Sequence, residues 1–514
     1  MRWGALAVVA CVLLAGCAAP FAAPSDGDNG TGSGAADGTA ASSGGDGAAG
    51  ASVTTGTPGS TSTPVTHEER PDPDADVLGW ENGYWHDDPV PVDASDGLNE
   101  SEREAVVARA MARVEIVRNL KFERPVNLTV RTRAGTSDEF TSGKTSEALD
   151  RFDNAKFEAL FLIGSDNDAV GVQDANRNRT VAGFYSPTRE AIVLVSDSST
   201  PRLDGERTLA HELVHALQDQ HFDISLAETP RTRDAYNGRN GLIEGDASAV
   251  GAAYVDRCGE TWACLSSTAG GSESGSESGS DSGGSSVHLG VYVISFFPYS
   301  DGPAFVESLR DGDDWSDVND AYAAPPRSSA EVIFPETYGT FERADVGLRD
   351  RTADGWERVR PAGRPDYGVL GPSALSAMFA YTLYDEYNAS AVVESEAFLN
   401  RDGSGIDADD PFEYALDPVR GWQGDRLHVY ERDGQTGYVW RLVWESPAAA
   451  ERFVEYYRAL VAHWGGDAVR EDVYVIEANS PFAGAVAIDV AGDTVTVVGA
   501  PDREALGQLR RGAG

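Results

Sequence analysis

The sequence predicts an α+β fold in which a helix-rich body is followed by an additional C-terminal α/β sandwich module. Three features predict it. Apolar stripes at helical spacing recur through the first 400 residues, and short β-prone runs sit between them. In roughly the last hundred residues, strand-like runs flank one well-marked helix.

Residues 1–16 read as a signal peptide. Met1-Arg2 supply a short positive region, and Ala5 to Leu14 form an apolar run too short for a transmembrane span of about 20 residues. The run ends in Leu14-Ala15-Gly16-Cys17, which resembles the lipobox of bacterial and archaeal lipoproteins and implies cleavage before Cys17 and lipid on its sulfur. One lipid chain holds only marginally, so firm attachment requires a diacyl group. Residues 17–75 are then expected to form a lipid-anchored disordered stalk, being Gly, Ala, Ser, Thr, Pro and Asp over most of their length. The implied location is the extracellular face of the cell membrane.

Residues 76–400 are expected to form the main domain, with a disordered Gly/Ser/acidic insertion at 266–286. Its first helix is expected near Ser101, where Ser101 and Glu104 have capping-box spacing, and Val106, Ala110, Met111, Val114, Val117 and Leu120 make its apolar stripe. A strand at Val126 to Val130 follows, then a helix from Ser146 to Leu162 and a polar stretch from Ser165 to Arg179. Ala191 to Val195 reads as a strand. Asp204 can cap a helix from Gly205 to about Gln220, and an Ala-rich helix is expected from Gly241 to Val255. Cys258 and Cys264 are close enough for a small disulfide loop in an oxidising compartment. Val287 to Phe297 reads as a helix or strand, Gly302 to Arg310 as a separate short helix, and Gly371 to Tyr384 as another. Residues 401–514 form the C-terminal module, in which Ser446 and Pro447 start the helix at its preferred cap and first positions.

The formal charge of -42 argues against a nucleic-acid partner, which needs basic surface to neutralise phosphates. Only three lysines occur, Lys121, Lys144 and Lys156, and the acids are spread along the whole chain. Such a surface repels itself in dilute salt and is screened in concentrated salt, which implies a halophilic setting.

Chemistry concentrates in His211-Glu212-Leu213-Val214-His215. Residues four apart share a helix face, so His211 and His215 can present two imidazoles to one Zn²⁺, with Glu212 placed to deprotonate a metal-activated water. His221 has the spacing of a third histidine ligand, but Gln218 stands where the chain would need a glycine to turn back. If the helix runs on, His221 leaves the face of His215. Glu244, near the start of the second expected helix, is the better third ligand and completes a gluzincin-like His₂Glu set. Against that, a glutamate in a first helical turn is also favoured by the helix dipole alone. Asp219 and Asp246 are candidates for orienting the ligands.

The runs Ala182-Gly183-Phe184-Tyr185, Thr208 to Phe222 and Glu244-Gly245-Asp246-Ala247 resemble those of secreted prokaryotic zincin-like (HExxH) proteins, including surface lipoproteins of halophilic archaea. The likeness extends over about Glu100 to Tyr338; Phe334 stands where relatives often carry His. It implies a zincin-like metallopeptidase core in residues 76–400, His211, His215 and Glu244 as metal ligands, and Glu212 as base. The expected activity is extracellular zinc-dependent hydrolysis of a peptide or protein substrate. The alternative is a surface binding or structural protein on a catalytically inactive scaffold. No residue in the sequence marks a specificity pocket.

Overall fold

The computed structural model describes residues 70–203, 205–224, 230–265, 287–350, 354–403, 405–407 and 409–511. The signal peptide, Cys17, the stalk up to residue 69, Asp204 and the insertion at 266–286 lie outside the described residues. The fold is a mixture of helices and sheets.

A short hairpin, Trp80–Glu81 with Tyr84–Trp85, precedes helix α1 (Glu100–Arg118). The capping box of α1 is formed by Asn99 and Glu102, two residues before the expected Ser101 and Glu104. Both pairs have the right spacing, and the earlier one wins because its side chains and backbone N–H groups satisfy each other at 3.1 and 2.9 Å. Strand β1 (Asn127–Arg131) follows, then α2 (Glu147–Ala159). The polar stretch after it is mostly helix α3 (Ala169–Thr180), capped by Asp168, which accepts from the Val170 and Gly171 amides. Strands β2 (Gly183–Ser186) and β3 (Ala191–Val195) complete a three-stranded sheet in the order β1-β3-β2, with β1 parallel and β2 antiparallel to β3. β2 is thus an edge strand, and it packs on the next helix, α4 (Arg207–Phe222).

Helix α5 runs from Arg233 to Asp256, so it begins eight residues before the expected Gly241. Two of its glycines, Gly238 and Gly245, are points of close backbone contact. A Cβ at Gly245 would lie 2.3 Å from the Gly302 carbonyl oxygen, and one at Gly238 2.6 Å from the Ser328 carbonyl carbon. Gly302 belongs to α6, which is a single helix from Leu289 to Leu309 and absorbs the segment expected to form a separate short helix. Pro298 and Pro303 lie inside it and remove hydrogen bonds from its ladder. Packing of an almost wholly apolar segment against α5 overrides that local cost.

The C-terminal part is a seven-stranded antiparallel sheet. Its strands are β4 (Glu357–Arg358), β5 (Trp422–Arg432), β6 (Gln435–Trp444), β7 (Gly466–Arg470), β8 (Val473–Ile476), β9 (Gly484–Ala491) and β10 (Thr494–Ala500). They lie in the order β7-β8-β9-β10-β6-β5-β4, so the sheet takes an edge strand from upstream of residue 401. Helix α7 (Gly371–Ala380) lies between β4 and β5 in sequence. Successive residues of β6 face opposite sides. Trp440 and Trp444 meet Tyr457 and Phe453 of α8 (Pro447–His463) on one face, and Val439 packs with Leu506 and Leu509 of α9 (Arg503–Arg511) on the other. Ser446 caps α8 as expected, accepting from the Ala449 amide. One hydrophobic cluster runs from α1 through α4, α5, α6 and α7 into this sheet. Among the described residues, no helix is long and apolar enough to cross a membrane.

The start of α4 is fixed by charge. Glu206, immediately before the helix, is fully buried and receives hydrogen bonds from Arg109 (2.7 Å) and Arg113 (3.0 Å) of α1, from the Leu265 amide (2.6 Å) and from the Tyr254 hydroxyl of α5. The same two arginines donate to the Ala263 carbonyl beside Cys264, which is disulfide-bonded to Cys258. Replacing one partner of a buried charge group costs about 3–5 kcal/mol because it strands the others. Glu206→Gln is therefore expected to lower unfolding free energy by about that much, measured by denaturant titration at fixed high salt. A loss below about 1 kcal/mol, the value of an exposed pair, would refute the assignment.

Candidate metal centre

Helix α4 carries His211 and His215 one turn apart on its buried face, as the four-residue spacing requires. The helix continues through Gln218 to Phe222, which removes His221 from that face. The His221 Nε2 lies 2.7 Å from the Lys121 carbonyl, and its Nδ1 lies 3.8 Å from Glu123. Glu244, brought in by α5, takes the third place. Its Oε2 lies 3.3 Å from His211 Nε2 and 3.2 Å from His215 Nε2, and the two Nε2 atoms are 3.1 Å apart. These three buried residues form a group that can hold a metal ion.

The donor set fits a tetrahedral ion of zinc's size. Ligand bonds of about 2.0–2.1 Å place the corners of a tetrahedron about 3.3 Å apart, close to all three spacings here. Glu244 Oε2 is buried and faces the two imidazole Nε2 atoms, so the three donor atoms can stand this close only with a proton or a metal ion among them. The helix-dipole explanation for Glu244 falls away because α5 begins at Arg233, leaving Glu244 in mid-helix.

Gln218 sets the chemistry of His215. Its Oε1 lies 2.8 Å from His215 Nδ1, while its Nε2 donates to the Ile243 carbonyl at 2.9 Å. The second bond fixes the amide, so the oxygen must face the imidazole, Nδ1 must carry the hydrogen, and Nε2 is left as a metal-ligating lone pair. Sequence reading saw Gln218 only as the residue that keeps the helix running. The signal for its second role was its position three residues after His215 on the helix.

The candidate orienting acids act at one remove. Asp246 is held by Arg118 (2.8 and 3.2 Å) and by the Tyr322 hydroxyl (2.7 Å), and it reaches Gln218 Nε2 at 3.4 Å. Asp219 accepts from the Tyr185 hydroxyl at 2.8 Å. Tyr185 in turn donates its backbone N–H to Glu212 Oε2 at 2.7 Å. Glu212 Oε1 is buried with no hydrogen-bond partner among the described residues. One carboxylate oxygen is thus anchored to edge strand β2 and the other is available. Tyr299 of α6 stacks on His211 with ring centres 6.0 Å apart.

Without metal, the group binds a proton. Burial disfavours a charged His215 imidazole, yet the Glu244 carboxylate outweighs it and raises the group from its usual 6.5 to about 9. Burial likewise pushes Glu244 up, and the His215 charge more than reverses this, holding it at about 2.

A family model described as a domain of unknown function, DUF8575, matches residues 357–510, which takes in the C-terminal sheet from β4 onward and excludes the metal group. No curated protein and no solved structure matches the chain.

Two outcomes follow from this geometry. Because the metal-free His215 holds its proton up to about pH 9, metal binding at pH 7 must displace it. Calorimetry in buffers of different ionisation enthalpy is expected to show about one proton released per ion, with affinity rising about tenfold per pH unit from 7 to 9 and levelling above. A flat profile would exclude the ion pair. Gln218→Ala should weaken metal binding by about 10–100-fold, as loss of a ligand-orienting partner does, in a competition assay against a chromophoric chelator.

Proposed function

We propose that this chain is a zinc-dependent peptidase acting outside the cell, on a zincin-like core. The observation that carries the reading is the pairing of two features in one buried place. Three donors converge at tetrahedral spacing, and the glutamate between the two histidines keeps an unengaged oxygen. The Tyr185 amide accounts for one oxygen of that carboxylate, and a site kept only for structure has no use for the other.

His211, His215 and Glu244 would hold a Zn²⁺, which when bound would supply Lewis acidity toward a peptide carbonyl and a water molecule. Glu212 Oε1 takes the proton of the attacking water and delivers it to the leaving amine. The bond from the Tyr185 amide to Oε2 holds the carboxylate in one orientation through both transfers, so that little reorganisation accompanies them. Gln218 keeps His215 in the ligating tautomer. The exported, lipid-anchored state implied by Cys17 and the halophilic setting implied by the charge are parts of the same proposal, and the Cys258–Cys264 disulfide fits an oxidising compartment.

Protein purified in high salt is expected to hold one zinc per chain by elemental analysis. Glu244→Ala should lose it and His221→Ala should keep it; retention by the first variant would reject the ligand set. Glu212→Gln should retain zinc and lose at least about 10²-fold in peptide turnover, the lower end of a general base's contribution. Full turnover by that variant would reject the mechanism.

A further inference from the structure

Glu244 forms part of the wall of a cavity of about 160 Å³. Tyr299, stacked on His211, lines it too. The cavity follows one face of α5, where Glu244, Asn240, Tyr236 and Arg233 recur at helical spacing. The character of its far end is opposite to that of the chain as a whole. In a protein of formal charge -42 with three lysines, five cationic side chains line this cavity: Lys156, Arg177, Arg231, Arg233 and Arg364. Glu244, at the metal group, is the single acid among the lining residues.

Lys156 is paired with Asp153 at 2.5 Å and Arg177 with Asp174. Others are engaged by neutral groups: Arg233 donates to the Gln173 side chain at 3.2 Å, and Arg231 to the Gly363 carbonyl. Burial draws the Arg233 guanidinium and the Lys156 ammonium down from their usual ranges; Asp153 opposes this at both, while Arg177 and Arg364 add to it at Arg233, and Arg233 and Arg364 at Lys156. Cations placed close together in a recess repel one another, and an anion between them relieves that repulsion.

We propose that the basic end of this cavity is a substrate subsite that binds a peptide carboxylate, so that the centre acts on acidic peptides. The inference rests on the peptidase reading for the chemistry of its ligand. Arg233 and Glu244 are eleven residue steps apart on α5, about 16 Å along the axis, which is the span of roughly five extended residues. The carboxylate therefore sits within about five residues of the bond to be cut. It can come from an Asp or Glu side chain or from the peptide's C-terminus.

The test uses the full-length, zinc-loaded Glu212→Gln protein and fluorescent octapeptides carrying one Glu, or Gln in its place, at each position in turn. Each peptide is prepared with a free and an amidated C-terminus, and anisotropy is measured at constant high salt. At the favoured position, or for the free acid over the amide, binding is expected to be about tenfold tighter, as for a charge-assisted hydrogen bond. Position dependence assigns the side chain as source, and loss on amidation assigns the terminus. Adding Arg233→Gln or Arg364→Gln should cut the preference to about twofold or less, and Arg233→Lys should retain most of it. Equal affinities across all pairs, or a preference unchanged in both Gln variants while zinc content is intact, would overturn the subsite. Parallel turnover assays with Glu212 intact separate the two ideas. Cleavage without charge preference rejects the subsite alone, whereas selective binding without cleavage of any peptide rejects the peptidase reading and leaves the anion site standing.

Discussion

The metal group depends on one side chain that is not a ligand. Gln218 spans the gap between α4 and α5, accepting from His215 on one side and donating to the Ile243 carbonyl on the other. Because Ile243 precedes Glu244, this amide ties the tautomer of one ligand to the position of another. An amide suits the task because its two ends cannot exchange roles without placing oxygen against oxygen. A carboxylate there would face the Ile243 carbonyl unsatisfied, and a glycine would end the helix before it reached α5.

The second constraint is how closely α5 and α6 approach. With Gly245 against the Gly302 carbonyl, no side chain separates the two backbones. Glu244 sits one residue from that contact, so its depth relative to α4 is set by backbone and leaves little room to drift. The same approach brings Tyr299 of α6 onto His211. An added methyl at Gly245 would push the helices apart, at a cost of about 1–3 kcal/mol for overpacking, and would withdraw the carboxylate from the histidines.

What the sequence reveals follows from the range of the interactions. His211, Glu212 and His215 are legible because their relation is made within one helical turn, and Glu244 is legible because it stands near the start of the next expected helix, where a carboxylate can complete a His₂Glu set. The full length of α5 is not, since the polar, Gly238-containing turns from Arg233 to Asn240 carry little apolar periodicity, and the Ser328 backbone that packs on Gly238 lies far along the chain. Pro298 and Gly302-Pro303 mislead in the same way in α6, where burial decides against local preference. The metal-adjacent cavity could not be found at all, because Lys156, Arg177, Arg233 and Arg364 come from four separate segments, each an unremarkable surface cation by itself.

Arginine's place in so acidic a chain follows from its geometry. Arg109 and Arg113 of α1 clamp Glu206 at the start of α4, and Arg118 of the same helix takes Asp246 of α5 in a two-point contact. One helix therefore fixes both elements that carry metal ligands, using forked guanidinium groups that a lysine could not replace. These pairs are buried, and salt screens buried charges far less than exposed ones. The exposed acids make the surface sensitive to ionic strength, while the polar frame around the metal group is set by contacts that salt barely reaches. The chain can thus carry a strongly acidic surface, whose exposed charges salt screens, without exposing the geometry of the site to the same variable.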